Sequence, residues 1–204
     1  MNFNEIVANT LTTDEFNIPV ELRCCPDQYV GQIADIVDNQ TIAIRLPARE
    51  RPKGPALILV LESPHIDEFQ GHIGPAKGPT GTNIARFLTK VQGLEDMGQR
   101  SLILVNAVQF QCSLGRPTNI FRDRIFRQAW LDGGAVDFAS RMGTLFLEGD
   151  IVVVNACTKG RLTGPLELRR LVHTELKAVP RIGQVLKRCH PSKWNMPLRR
   201  NYVW

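Results

Sequence analysis

Six consecutive residues near the C-terminal end, Cys189-His190-Pro191-Ser192-Lys193-Trp194, place an imidazole, a rigid turn, a hydroxyl, a cation and a large flat ring side by side. His190 can donate to a developing negative charge, and Ser192 and Lys193 can bond phosphate. Trp194 can fill the gap left when a base leaves its stack. Far upstream, Glu62-Ser63-Pro64-His65 and Asn106 supply the complementary groups. Breaking an N-glycosidic bond sends electrons into the departing base and leaves a sugar with oxocarbenium character. Such a step needs a carboxylate or activated water at the sugar and a donor at the base, and Glu62 and His190 fit these two roles. Asn106 carries both a donor and an acceptor and can read a base edge without a metal. The plain alternative is a loop-capping Glu62 and a surface His190.

These residues need elements to position them. Residues 55–61, Pro-Ala-Leu-Ile-Leu-Val-Leu, form a continuous apolar run that predicts a strand buried on both faces, stopping abruptly at Glu62. In α/β proteins, ligands gather at such strand ends. Residues 101–105 and 150–154 predict two more buried strands, running into Asn106-Ala107-Val108 and Asn155-Ala156-Cys157. A strand at 182–186 precedes His190. Gly78-Pro79-Thr80-Gly81-Thr82-Asn83 opens a helix whose apolar face is Ile84, Phe87 and Leu88. Helices are also expected at 4–11, 121–131, 136–147 and 165–178. In the second of these, Ile125, Phe126, Ala129 and Trp130 face the core, and Arg122, Arg124 and Arg127 face out. Residues 30–46 predict a short hairpin or edge strands turning at Asp38-Asn39.

The order of these motifs over residues 55–196 resembles the uracil-DNA glycosylase superfamily. The resemblance implies an α/β fold of three layers, α/β/α, around a central, mostly parallel four-stranded sheet. It also implies a water-activating motif at Leu61-Glu62-Ser63-Pro64-His65 and a phosphate contact at Thr80, where Gly78-Pro79-Thr80-Gly81 opens its helix. A base-reading residue falls on Asn106, an electrophilic histidine on His190 and an intercalating side chain on Trp194. Ser63 stands where the best-known members carry a catalytic Asp. The carboxylate comes one residue earlier, as it does in the iron-sulfur members. Those members need cysteine ligands, yet Cys24, Cys25, Cys112, Cys157 and Cys189 include no C-x-x-C pair, so no cluster or other cofactor is expected. An ungapped count puts Ala76 at the stacking aromatic's position. Phe69 or Phe110 is the candidate replacement, and the roomier pocket favours larger bases, such as a bulky modified cytosine in foreign DNA.

Composition fits one compact core of 204 residues, 43% hydrophobic. No apolar stretch approaches the roughly 20 residues of a membrane span. Five cysteines without an export signal lead to the expectation of a cytosolic, reduced protein, a monomer with no membrane partner. Charge is divided unevenly. Residues 151–204 hold 11 Lys/Arg against 2 Asp/Glu, whereas residues 1–150 hold 14 against 18. One end of the chain thus carries the field that a phosphate backbone selects, with Lys187, Arg188 and Lys193 bracketing His190. Residues 1–50 are expected to form an N-terminal embellishment of a helix and short strands packed on a core at 51–204.

The expected function is a DNA glycosylase that hydrolyses the bond to a flipped base. Glu62 and His190 would be catalytic, with Ser63, His65, Asn106 and Phe69 at the base. Thr80, Lys187, Arg188, Ser192, Lys193 and Trp194 would lie on the DNA. Asp67 is an alternative water-positioning acid. Two further readings remain: a catalytically inactive DNA-binding module on the same scaffold, and a metal-dependent nuclease using His65, Asp67, Glu68 and His72.

Overall fold

The computed structural model describes residues 2–12, 24–115, 121–146, 150–161 and 164–204. A mixed sheet of six strands runs through the molecule. The strands are β1 (Gln28–Gln32), β2 (Leu46–Pro47), β3 (Ala56–Leu61), β4 (Ser101–Asn106), β5 (Ile151–Asn155) and β6 (Val185–Lys187), in the order β2-β1-β4-β3-β5-β6. β4, β3, β5 and β6 pair in parallel, and β1 and β2 extend the β4 side antiparallel. The expected four-stranded sheet is therefore corrected to six strands, since residues 28–47 supply two that sequence reading left outside it.

Every residue of β3 and β4 is buried, as the unbroken apolar runs predict for strands covered on both sides. Ala56, Ile58, Val60, Ile103 and Val105 turn to one face. Leu57, Leu59, Leu61, Leu102 and Leu104 turn to the other, following the two-residue alternation of a strand. The first face meets α1 (Phe3–Thr10), α4 (Arg122–Ala129), α5 (Ala135–Leu145) and α6 (Leu168–Ala178) through Ile6, Phe126, Phe138 and Val172. The second meets α2 (Ile33–Asp38) and α3 (Pro79–Phe87) through Ile33, Ile36, Ile84 and Ala85, with Leu88 and Trp194 beside them. Each fully buried Leu or Ile contributes about 1.5–3 kcal/mol to holding the layers together.

Three local features differ from expectation or explain it. Residues 33–38 are helical where a hairpin strand was expected, because Ile33, Ile36 and Val37 follow helical spacing and Ile33 and Ile36 are buried against the second face. The junction of α4 and α5 loops out at Gly133, whose φ of +100° is open to glycine. The expected end of α5 at Leu147 lies outside the described residues. Among the described residues no helix is long and apolar enough to cross a membrane.

The carboxyl end of the parallel sheet is braced from below. Arg141 on α5 donates to the carbonyls of Asn106 and Ala107 at 3.2 and 3.0 Å and pairs with Asp27 at 2.6 Å. Ala107 and Val108 then donate to the carbonyls of Leu61 and Glu62 at 2.8 and 3.0 Å. The loop leaving β3 is thereby fixed to the loop leaving β4.

Candidate active site

A pocket of about 290 Å³ opens where the parallel strands end. Its walls include Glu62 and Ser63 after β3, Ser113 after β4, Thr158 after β5, and His190 and Ser192 after β6. The chain passes from β3 to β4 on one side and to β5 on the other, so Glu62 and Thr158 meet where the strand order reverses, the usual place for a ligand crevice.

Glu62 is almost completely buried and heavily partnered. Its Oε1 lies 3.1 Å from Arg122 Nε and 3.3 Å from the Ser63 hydroxyl, and Oε2 accepts from the Thr158 hydroxyl. Burial raises its pKa to about 7; Arg122 and Ser63 oppose that shift, and Asp123 adds to it. A carboxyl poised there is charged in part at neutral pH and exchanges a proton readily. The neighbouring thiols of Cys112 and Cys157 are pushed up by burial and by Glu62, and stay protonated.

His190 begins the turn of residues 190–194. Its Nδ1 accepts from the Ser192 N–H at 3.2 Å and lies 3.0 Å from the Ser192 hydroxyl. That bond places the ring proton of the neutral imidazole on Nε2, leaving a donor for the pocket. Removal from water, with Arg122 and Lys193 close by, lowers its pKa to about 4. The turn is tied to the opposite layer by Asn83 Nδ2, which donates to the Pro191 carbonyl at 3.0 Å. Pro79 and Thr80 at the start of α3 complete that part of the pocket.

A groove of about 570 Å³ continues from this pocket and shares Thr158, His190 and Ser192 with it. Lys159, Arg169, Lys193 and Arg199 line it, so the uneven charge of the sequence collects at the mouth of the site. The cations are spread over segments 159, 169, 193 and 199, which converge only in the fold.

The structure brings together Glu62, Ser63, His65, Thr80, His190 and Ser192 around the pocket and puts Lys193 in the groove. Five expectations are corrected. Trp194 is 0% exposed, packs with Leu59, Ile84 and Leu88, and donates from Nε1 to the Cys189 carbonyl at 2.9 Å. Such a ring is a core anchor and cannot enter a DNA stack. Arg188 is buried and its guanidinium is spent on the carbonyls of Gln92 and Lys187. Lys187 lies outside both cavities, with Nζ 5.6 Å above the Trp204 ring. Phe69 is buried away from the pocket lining, and Phe110 stacks on Phe3 at 4.6 Å. Asn106 is buried behind Glu68 and does not line the pocket.

Sequence reading missed two residues that matter here. Arg122 was expected to face out, yet it bonds Glu62 and Asp123. As the first residue of α4 it lies at the helix end, where its side chain can swing across the strand ends. Glu68 lines the pocket with a carboxyl that accepts from Asn106 Nδ2 at 3.2 Å and from the Cys25 thiol at 3.7 Å. Burial raises its pKa to about 7, opposed by the Asn106 bond and by bonds to the backbone at Ala76 and His65. A buried acid inside a polar loop leaves no signal in sequence. Among the described residues no three His, Cys, Asp or Glu side chains converge as they would around a metal ion, so His65, Asp67, Glu68 and His72 do not make a donor set. No protein-family model, curated protein or solved structure matches the chain.

Proposed function

We propose that this chain is a DNA glycosylase acting on an extrahelical base, built on a three-layer fold of the uracil-DNA glycosylase type. The supporting observation is a single one: a buried carboxyl and a neutral histidine with a free N–H line one pocket, and that pocket opens into a cationic groove. Phosphate binding needs neither group. Hydrolysis of an N-glycosidic bond needs both.

In this reading the groove holds the sugar-phosphate backbone through Lys159, Lys193 and Arg199. Ionised Glu62 takes a proton from water as that water adds to the anomeric carbon, and its charge stabilises the oxocarbenium-like sugar. The electrons of the breaking C–N bond move into the base. His190 Nε2–H donates to the base atom on which that charge accumulates. A neutral donor suits the task, since a base with pKa near 4 does not add a positive charge that DNA phosphates would trap. Arg122 and Thr158 hold the carboxylate in place and contribute no proton.

The test is incubation with oligonucleotides carrying uracil, hypoxanthine, a thymine mismatch or modified cytosines, with abasic sites and free bases measured by mass spectrometry. Release of at least one base, undiminished by EDTA, is expected. Binding of every duplex with release from none would assign the chain to DNA binding without chemistry.

A further inference from the structure

A second cavity of about 490 Å³ lies against the first and shares Asp67 and Lys77 with it. The proposed reaction does not use it. Resting on the glycosylase reading, we infer that this cavity is a subsite for a hydroxyl-rich, sugar-like substituent carried by the base that the first pocket receives.

Three observations carry this. The first is size and place. The outer cavity exceeds the pocket holding Glu62 and His190, and a substituent projecting from a base in that pocket past Asp67 and Lys77 would enter it. The second is shape. Its floor is made by Ala76, Gly81 and Ala85, and a Cβ on Gly81 would stand 2.0 Å from the Ala76 carbonyl oxygen. α3 can approach Ala76 this closely only through that glycine, and the small residues leave the space above them open. The third is chemistry. Gln40, Thr41, Gln70 and Thr82 supply amides and hydroxyls, and Asp67 supplies an acceptor. The two cations are already engaged. Arg45 donates to Gln28 Oε1 at 3.1 Å and to the Pro75 carbonyl at 2.8 Å, and Lys77 donates to the carbonyls of Gln70 and His72. With its cations committed to neutral oxygens and a carboxylate on its wall, the cavity suits a neutral partner better than a phosphate. A hydroxyl both donates and accepts, which matches mixed amides, hydroxyls and carboxylate, while Ile42 gives a sugar ring's C–H face an apolar patch.

The experiment compares duplexes carrying 5-hydroxymethylcytosine with duplexes carrying its glucosylated form. The parent should release the glucosylated base with kcat/KM higher by at least about tenfold, the effect of one or two added hydrogen bonds. Thr82→Trp, on the exposed side of α3, fills the cavity and should remove that preference while leaving release of the smaller base unchanged. Gln70→Ala is a second variant at an exposed position, expected to weaken the preference with melting unchanged. Equal rates on both duplexes would overturn the inference. If neither base is released, the glycosylase reading is in question, and the subsite is then read by calorimetry with the two free nucleosides. Glucosylated nucleoside binding at least about tenfold tighter than the bare one, and lost in Thr82→Trp, would uphold the subsite by itself; equal affinities would refute it whatever the catalytic result.

Discussion

The loop after β3 and the loop after β6 respond to the same physical cause in opposite directions. Burial raises the carboxyls of Glu62 and Glu68 to about 7 and drives the imidazole of His190 down to about 4. Both changes remove charge, because water no longer solvates the ion. The contrast lies in what remains at neutral pH. His190 is some three units from its midpoint and is fixed as a neutral donor, whereas Glu62 sits at its midpoint and switches. Arg122 touches both loops electrostatically: it favours the carboxylate of Glu62 and disfavours protonation of His190. One side of the site is set, and the other is adjustable.

The strongest way to break this comparison is to delete its two ends. Glu62→Gln and His190→Ala should each lower single-turnover base release by about 100-fold or more, with DNA affinity nearly unchanged. Parent-like rates in either variant would remove that residue from the chemistry. Trp194→Ala should instead cost stability, about 3–5 kcal/mol in urea unfolding, since it empties a fully enclosed site. A normal midpoint with a selective loss on duplex over single-stranded DNA would restore it to the DNA interface.

Dependence on pH sharpens the contrast between the loops. If ionised Glu62 is required, kcat/KM rises with pH through about 7 and then levels, with no second limb from His190 above about 4. In Arg122→Gln, loss of the cation should move that limb up by about one unit. A limb that stays in place would mean another group controls the rate. Stability follows the opposite course. Glu68, with a folded pKa of about 7 against an ordinary 4.5, holds more protons when folded. Its contribution is full below about 4.5 and fades as pH rises through about 7. His190, lowered from 6.5 to about 4, contributes fully above 6.5 and loses this as pH falls towards 4. Urea midpoints between pH 5 and 8 should therefore slope less steeply downward with rising pH in Glu68→Gln than in the parent. An identical slope would show that Glu68 does not titrate in that window. The smallest effect is expected at the groove, where Lys193→Ala should weaken binding of all duplexes alike and reduce the salt slope by about one. An unchanged salt slope would place Lys193 off the backbone path.

How much of this was readable beforehand depended on whether a residue's position is fixed by its own segment. β3, β4 and β5 were legible because strands buried on both faces must be apolar without interruption, and Glu62 was legible because it stops such a run. His190 was legible from its turn. Arg122 was not, since the face of a helix says nothing reliable about the long side chain at its first residue. Trp194 and Arg188 were misplaced for a related reason: a cation and a ring beside a reactive histidine suit DNA and suit a core equally. Only the fold shows the Cys189 carbonyl that receives the indole and the Gln92 carbonyl that receives the guanidinium. β1 was lost because Gly31 and polar Gln28 and Gln32 dilute its pattern, although four of its five residues are buried.

The bond from Asn83 to the Pro191 carbonyl, together with the buried ring of Trp194 three residues later, makes the histidine turn continuous with α3. The recess is thus a gauge of fixed width and not a jaw. A wrong base is turned away because it does not fit between parts that are already set, and the work of distortion falls on the nucleic acid. Loosening the gauge, as Asn83→Ala would, should widen the range of bases accepted before it slows the preferred one.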